Sequence, residues 1–194
     1  MQRTERPAQD TKTHTFSLDL KAIKQRARTH LEDGAVTEGN KTDHDQILQL
    51  LNDSLATELV CVLRYRAHHV LSASTGGIAG HAVTEELLQH ALEEQGHADR
   101  IAERIVQLGG TPDFNPATLA GRSHTDYVVS DSLKAMLTED LVAERIAIET
   151  YSAIVRFIGD KDITTRRMLQ EILENEEEHA DELADFLRRV PLEG

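Results

Sequence analysis

Apolar residues recur every three or four positions through most of the chain, which is the spacing of one face of an α-helix. From residue 43 onward the pattern falls into four long segments separated by glycine, proline or polar residues. The predicted bundle helices are 43–72, 82–108, 127–158 and 163–190. Asp43 is the expected N-cap of the first of them, and a shorter pattern predicts another helix at about 17–31. The expected fold class is therefore all-α.

The lengths of the connections predict how the four long helices pack. The first and third connections are short, so each is expected to join two antiparallel neighbours. The middle one, about 109–126, starts with Gly109-Gly110 followed by Pro112, which is a strong helix stop. About 18 extended residues can run the length of a helix of about 28 residues, which is roughly 42 Å. We predict an antiparallel four-helix bundle with one long crossover between its second and third helices.

Acids and histidines interrupt each apolar stripe at one or two positions. Glu58 and Glu144 each have apolar residues one turn before and one turn after them. The second and fourth helices each carry one Glu-x-x-His, formed by Glu94 and His97 and by Glu176 and His179. In both halves of the bundle a single Glu is thus followed, 36 or 32 residues later, by Glu-x-x-His. This repetition indicates an internal duplication.

Four carboxylates facing one interior would repel each other and lose their hydration. Two divalent cations would neutralise them, and two imidazoles would complete the ligand set. Residues i and i+3 share a helix face, so both side chains of a Glu-x-x-His can reach one site. Mixed oxygen and imidazole ligation favours iron or manganese, with zinc as a frequent substitute. A solvated acidic face is the alternative for either motif alone, but two matching motifs favour a di-metal site.

At these residues the chain resembles the bacterioferritin family, over about residues 43–190. The matching segments are 52–60, 93–100 and 176–179. The resemblance implies a ferritin-like bundle with a ferroxidase centre that holds two iron ions per chain. Its implied ligands are Glu58, Glu94, His97, Glu144, Glu176 and His179. Glu94 and Glu176 would bridge the two ions, and Tyr65 would lie beside them as a further catalytic residue.

The function implied by the resemblance is oxidation of Fe(II) with O2 or H2O2, followed by storage or detoxification of the iron. Another di-metal oxidase or a catalase on the same fold is an alternative, because the ligand set is shared. A DNA-protecting shell protein of the Dps type is the alternative from a different class. Cys61 is the only cysteine, which excludes a four-cysteine metal site. His90, one turn before Glu94, is a further candidate for a supporting or relay residue.

Two features depart from the bacterioferritin pattern. Haem in that family is bound between subunits by a Met on the first bundle helix, where this chain has none, so no haem is expected. The sequence stops at Gly194, too soon for the short fifth helix of 24-subunit cages. We therefore expect a homo-oligomer, with a 12-subunit shell favoured over a 24-subunit one.

Charge divides the chain into a basic arm, residues 1–42, and an acidic bundle domain, residues 43–194. Residues 1–30 carry seven Lys or Arg and three acids, whereas the whole chain has a net charge of −13. The arm is interpreted as structural, with DNA binding as the weaker alternative. An acidic domain also suits attraction of cations. No apolar run approaches the roughly 18 residues of a membrane span, and the N-terminus lacks a signal peptide, so a cytoplasmic protein without a membrane partner is expected.

Overall fold

The computed structural model describes residues 16–38, 43–74 and 78–189. Within these ranges the chain forms helices and turns without a strand, so the predicted all-α class is confirmed. The helices are α1 Leu20–Arg26, α2 His44–Ser72, α3 Ile78–Gln107, α4 Leu119–Arg122, α5 Leu133–Ile158 and α6 Ile163–Arg189, with a 3₁₀ turn at Leu31–Asp33. None of the described helices is both long enough and apolar enough to cross a lipid bilayer.

The chain divides into two compact units, one up to Glu32 and one from Asp33 onward. In the first unit, the Asp19 side chain caps α1 by accepting a hydrogen bond of 2.9 Å from the Ala22 N–H. Helix α1 is shorter than the predicted 17–31, because none of its side chains is buried and packing normally stabilises longer helices. The rest of the predicted arm, residues 1–15 and 39–42, lies outside the described ranges, as does residue 190.

Contacts across the second unit set the directions of the four long helices. Glu58 on α2 meets Tyr151 on α5, and Tyr65 on α2 meets Glu144 on α5, so these two helices are antiparallel. Helices α3 and α6 pair in the same antiparallel sense. The hairpins α2–α3 and α5–α6 therefore pack against each other around an apolar core that contains Leu55. The predicted four-helix bundle is confirmed.

Two helices begin at a residue other than the predicted one, and a third lacks its predicted N-cap. Helix α3 begins at Ile78 rather than 82 and runs through Gly80, whose intrinsic cost of about 1 kcal/mol does not stop it. Helix α5 begins at Leu133 rather than 127, because the Ser132 hydroxyl caps it. Asp43 precedes α2 with a left-handed backbone, a φ of 55°, and makes no capping bond. Its carboxylate pairs with Lys161 instead, at 2.6 Å.

The crossover between α3 and α5 follows α2 along much of its length. Gly109 begins it with a φ of 77°, a conformation that glycine adopts without strain. The short helix α4 lies within it, in a region predicted to be a loop. Hydrogen bonds between the crossover and α2 pair Asp113 with Asn52, His124 with Thr57 and Ser130 with His68. The predicted lengthwise crossover is thus observed.

A buried ion pair fastens α2 to α5 away from the predicted ligands. Arg64 and Asp140 are 1% and 0% exposed, and the guanidinium Nε donates to the Asp140 carboxylate at 2.9 Å. The other Asp140 oxygen lies 2.9 Å from Nδ1 of the buried His68. Arg64 also donates to Thr125 and to the Asp126 carbonyl in the crossover, both at 3.3 Å. The Asp140 carboxylate therefore links the two hairpins, and Arg64, which it binds, also contacts the crossover.

Replacing Asp140 by Asn is expected to lower the free energy of unfolding by about 3–5 kcal/mol, because the Arg64 charge would stay buried without its counter-charge. Urea unfolding of the metal-free protein, followed by circular dichroism, measures this. The exposed Asp131→Asn, at a position just before α5, is the control and should change the value little. Equal stability of the two variants would contradict a structural role for the pair.

Candidate metal centre

The six predicted ligands come together from all four long helices. Every one of these six residues is at most 5% exposed. They form two groups of four, each with its ligand atoms within 4.8 Å of one another, namely Glu58, Glu94, His97 and Glu176, and Glu94, Glu144, Glu176 and His179. Glu94 and Glu176 belong to both groups. The arrangement provides two adjacent cation positions joined by two shared carboxylates.

The spacing of the ligand atoms suits metal coordination. His97 Nδ1 lies 3.0 Å from a Glu176 oxygen, 3.3 Å from a Glu58 oxygen and 3.7 Å from a Glu94 oxygen. His179 Nδ1 lies 3.4 Å from Glu94 and 3.6 Å from Glu176. Ligands held about 2.1 Å from one ion in a tetrahedral or octahedral shell are roughly 3.0–3.5 Å apart. The two groups therefore match the edges of such shells.

The six predicted ligands also carry buried polar atoms that have no hydrogen-bond partner. Buried polar atoms normally have hydrogen-bond partners, and each exception needs an explanation. Among the residues that the structure describes, the buried side-chain atoms without a partner include Glu58 Oε2, Glu94 Oε1, His97 Nδ1, Glu144 Oε2, both Glu176 oxygens and His179 Nδ1. All of these atoms face the shared interior of the two groups. Two divalent cations would satisfy them, so the donor set fits a di-metal site.

The pKa values of the four carboxyl groups are shifted in different directions. Burial, with the nearby charge of Glu94, raises the pKa of Glu58 to about 8. Burial and the charges of Glu94 and Glu176 raise the pKa of Glu144 well above its ordinary 4.5. Burial also acts to raise the pKa values of Glu94 and Glu176, but close contacts with neighbouring His and Glu side chains outweigh it and lower them. The two shared carboxyls are thus the readily ionised ones, and cations would displace protons from the other two.

Outer hydrogen bonds orient both histidines. His97 Nε2 donates to the Asn175 side-chain oxygen at 2.9 Å, and His179 Nε2 donates to Glu93 at 2.7 Å. These bonds place the proton on Nε2 and turn Nδ1 toward the centre. Burial lowers the pKa of His179, but its contacts with Glu176 and other carboxylates outweigh burial and raise it to about 12. The equivalent contacts raise the pKa of His97 as well.

Two tyrosines hold the unshared carboxylates. The buried Tyr65 hydroxyl donates to Glu144, which places this predicted catalytic residue beside the centre. Tyr151 donates to Glu58 in the same way, and it was not among the site residues predicted from the sequence. The duplication contained the signal, because Tyr65 follows Glu58 by seven residues and Tyr151 follows Glu144 by seven. Each tyrosine therefore supports the carboxylate of the other half.

Comparison with known proteins agrees with the fold. Residues 48–192 match the family of ferritin-like domains. The chain is similar to a bacterioferritin of Desulfovibrio desulfuricans, with 28% identity over 73% of this chain and 74% of that protein. It is also similar to a nutrient stress-induced DNA-binding protein of Synechococcus, with 30% identity over 73% of this chain and 81% of that one. Among solved structures, a dodecameric thioferritin from Bacteroides fragilis, described as bacterioferritin-related, aligns with a TM-score of 0.71 and 30% identity over 76% of this chain and 87% of that one.

Replacing Glu144 by Gln is expected to weaken binding of one of the two Zn²⁺ ions of this centre about 10- to 100-fold while sparing the metal-free fold. The raised pKa of Glu144 favours its protonated form in the folded apoprotein. The stability that this protonated group contributes is complete below pH 4.5 and is lost as pH rises through the raised pKa. A neutral amide therefore resembles the group it replaces. Calorimetric Zn²⁺ titration and thermal unfolding at pH 7 measure both effects.

The exposed Glu177→Gln is the matched control for this variant, because it removes one carboxylate from the outer surface of α6. It should leave both metal binding and the melting temperature unchanged. Full binding by Glu144→Gln, or unfolding of its apoprotein at pH 7, would contradict the assigned geometry.

Proposed function

Because this chain belongs to the family of ferritin-like domains, we propose that it is a ferroxidase that oxidises Fe²⁺ and then stores or detoxifies the iron. The observation that carries the proposal is the pair of four-residue groups that share Glu94 and Glu176. Two ions held side by side can deliver two electrons together. Two Fe²⁺ and two protons reduce H2O2 to two waters, or reduce O2 to H2O2.

The ligand types support iron as the substrate of this centre. Carboxylate oxygens are hard anionic ligands, so they stabilise Fe³⁺ more than Fe²⁺ and favour oxidation. We assign Glu94 and Glu176 as bridging ligands because each belongs to both groups. Glu58 with His97 and Glu144 with His179 complete the two ends. Manganese or zinc would fit the same atoms, and haem is not part of the proposal.

The proposed roles of the chain's other residues follow from their contacts. Tyr65 and Tyr151 hold the unshared carboxylates by hydrogen bonds, so each fixes one oxygen while the other faces the centre. Asn175 and Glu93 fix the two imidazole rings from behind. The burial of all six ligands keeps bulk water away from the ions. These contacts support preorganisation of the centre before metal arrives.

We further propose a homo-oligomeric shell in the cytoplasm, with 12 subunits favoured over 24. The dodecameric form named for the similar Bacteroides fragilis protein supports this number. Large apolar side chains exposed on the bundle surface also support subunit contacts, among them Leu63, Val70, Leu92 and Val106. The net charge of −13 would help such a shell to attract Fe²⁺.

A DNA-binding shell is the second proposed function. The name of the similar Synechococcus protein supports it, and so do four exposed basic residues in the first unit, Lys21, Lys24, Arg26 and Arg28. Binding through phosphates would weaken steeply as salt increases. A gel-shift series in rising salt separates the two proposals, because a ferroxidase without DNA binding would shift no DNA at any salt concentration.

Anaerobic titration with Fe²⁺, followed by O2 or H2O2, tests the ferroxidase proposal. Two Fe²⁺ per chain are expected to bind tightly, to oxidise rapidly, and to be followed by further retained iron. Glu94→Gln alters both groups and should slow the first oxidation at least about 10-fold, whereas Glu177→Gln should not. Tight binding of two ions without further retention would indicate another di-metal oxidase or a catalase. Absence of tight binding would contradict the centre.

A further inference from the structure

A third group of ligand-type side chains lies between α3 and α6, outside the six-residue centre. Glu86, His90 and Glu182 place one ligand atom each within 4.8 Å of one another. His90 Nε2 lies 3.0 Å from a Glu182 oxygen and 3.5 Å from a Glu86 oxygen. Glu86 and His90 are one turn apart on α3, and Glu182 comes from α6. The pairing of two helices therefore builds a convergent set of one nitrogen and two carboxylates.

The histidine of this group has no other polar partner. His90 is 0% exposed, so both ring nitrogens are removed from water. Within the described part of the chain, its Nδ1 has no hydrogen-bond partner, and its Nε2 meets only Glu182 and Glu86. Buried polar atoms normally have a hydrogen-bond partner, and an exception needs an explanation. Here Nε2 faces only two acids, as it would if all three side chains bound one cation.

The two acids differ from those of the centre in their access to solvent. The Glu86 side chain is 31% exposed and the Glu182 side chain is 51% exposed. A hydrated cation can therefore reach them and keep some of its water ligands. Burial raises the pKa of Glu86, and repulsion from the nearby Glu182 charge adds to this shift. A cation between them would relieve that repulsion.

The group of Glu86, His90 and Glu182 lies next to the six-residue centre. The His90 ring stacks on the His179 ring, with centroids 4.1 Å apart and planes at 23°. Glu86, His90 and Glu93 follow the i, i+4, i+7 spacing of one face of α3, and Glu93 accepts the hydrogen bond from His179. The third group therefore lies beside His179, one of the six residues of the buried centre.

We propose that Glu86, His90 and Glu182 form a third divalent-cation site, weaker and more open to solvent than the buried pair. Its one nitrogen and two carboxylate ligands suit a hydrated transition-metal dication such as Fe²⁺ or Zn²⁺. Three protein ligands leave the rest of the shell to water, so the ion exchanges with solvent. The site does not depend on the redox activity proposed above.

Zn²⁺ titration of the full-length protein by calorimetry and equilibrium dialysis tests the site. The wild type is expected to bind three ions per chain, and the double variant Glu86→Gln/Glu182→Gln is expected to bind two. Glu85→Gln/Asp181→Asn is the matched control, because it removes the same charge from exposed positions one residue away on the same helices. This control should still bind three.

The outcomes separate the third site from the buried centre. Equal stoichiometry in the wild type and Glu86→Gln/Glu182→Gln would overturn the third site, and so would an equal loss in the control. If the wild type binds one ion and Glu86→Gln/Glu182→Gln binds none, the third site stands and the buried centre fails. Loss of one ion of three, seen only in Glu86→Gln/Glu182→Gln, supports both.

Discussion

Four carboxyl groups and two imidazole rings lie within a few ångströms of one another inside this bundle, where water cannot screen their charges. The surrounding structure is arranged around that constraint. Tyr65 and Tyr151 hold the outer oxygens of two carboxylates, while Asn175 and Glu93 hold the back of the two imidazoles. What remains unpaired is a set of atoms that all face inward. The protein thus satisfies every side of its buried charges except the side that two cations would occupy.

The two hairpins repeat one plan with one difference. In each half a tyrosine follows the single glutamate by seven residues and reaches the other half, so neither hairpin completes a cation position alone. The residue before each Glu-x-x-His supports the histidine of the opposite hairpin. That residue is the charged Glu93 in one half and the neutral Asn175 in the other. The His179 end of the centre is therefore the more electron-rich end.

Two buried ionic clusters in one bundle show the difference between structural and functional polar groups. Arg64, Asp140 and His68 satisfy one another and the crossover, so their burial serves the fold. The centre leaves several ligand atoms without a partner, which lowers the stability of the metal-free protein. The Glu86–His90–Glu182 group lies between these extremes, because its acids reach solvent while its histidine does not.

The sequence by itself determined the four long helices and the positions of the predicted ligands, because helical periodicity and the i, i+3 spacing are local properties of the chain. The repeated Glu-x-x-His was visible for the same reason. Only the tertiary structure decided which side chains meet across the bundle, such as Tyr151 with Glu58, Arg64 with Asp140 and His90 with Glu182. Those partners are 76 to 93 residues apart, and their contacts depend on the rotation and register of packed helices, which a local pattern does not encode.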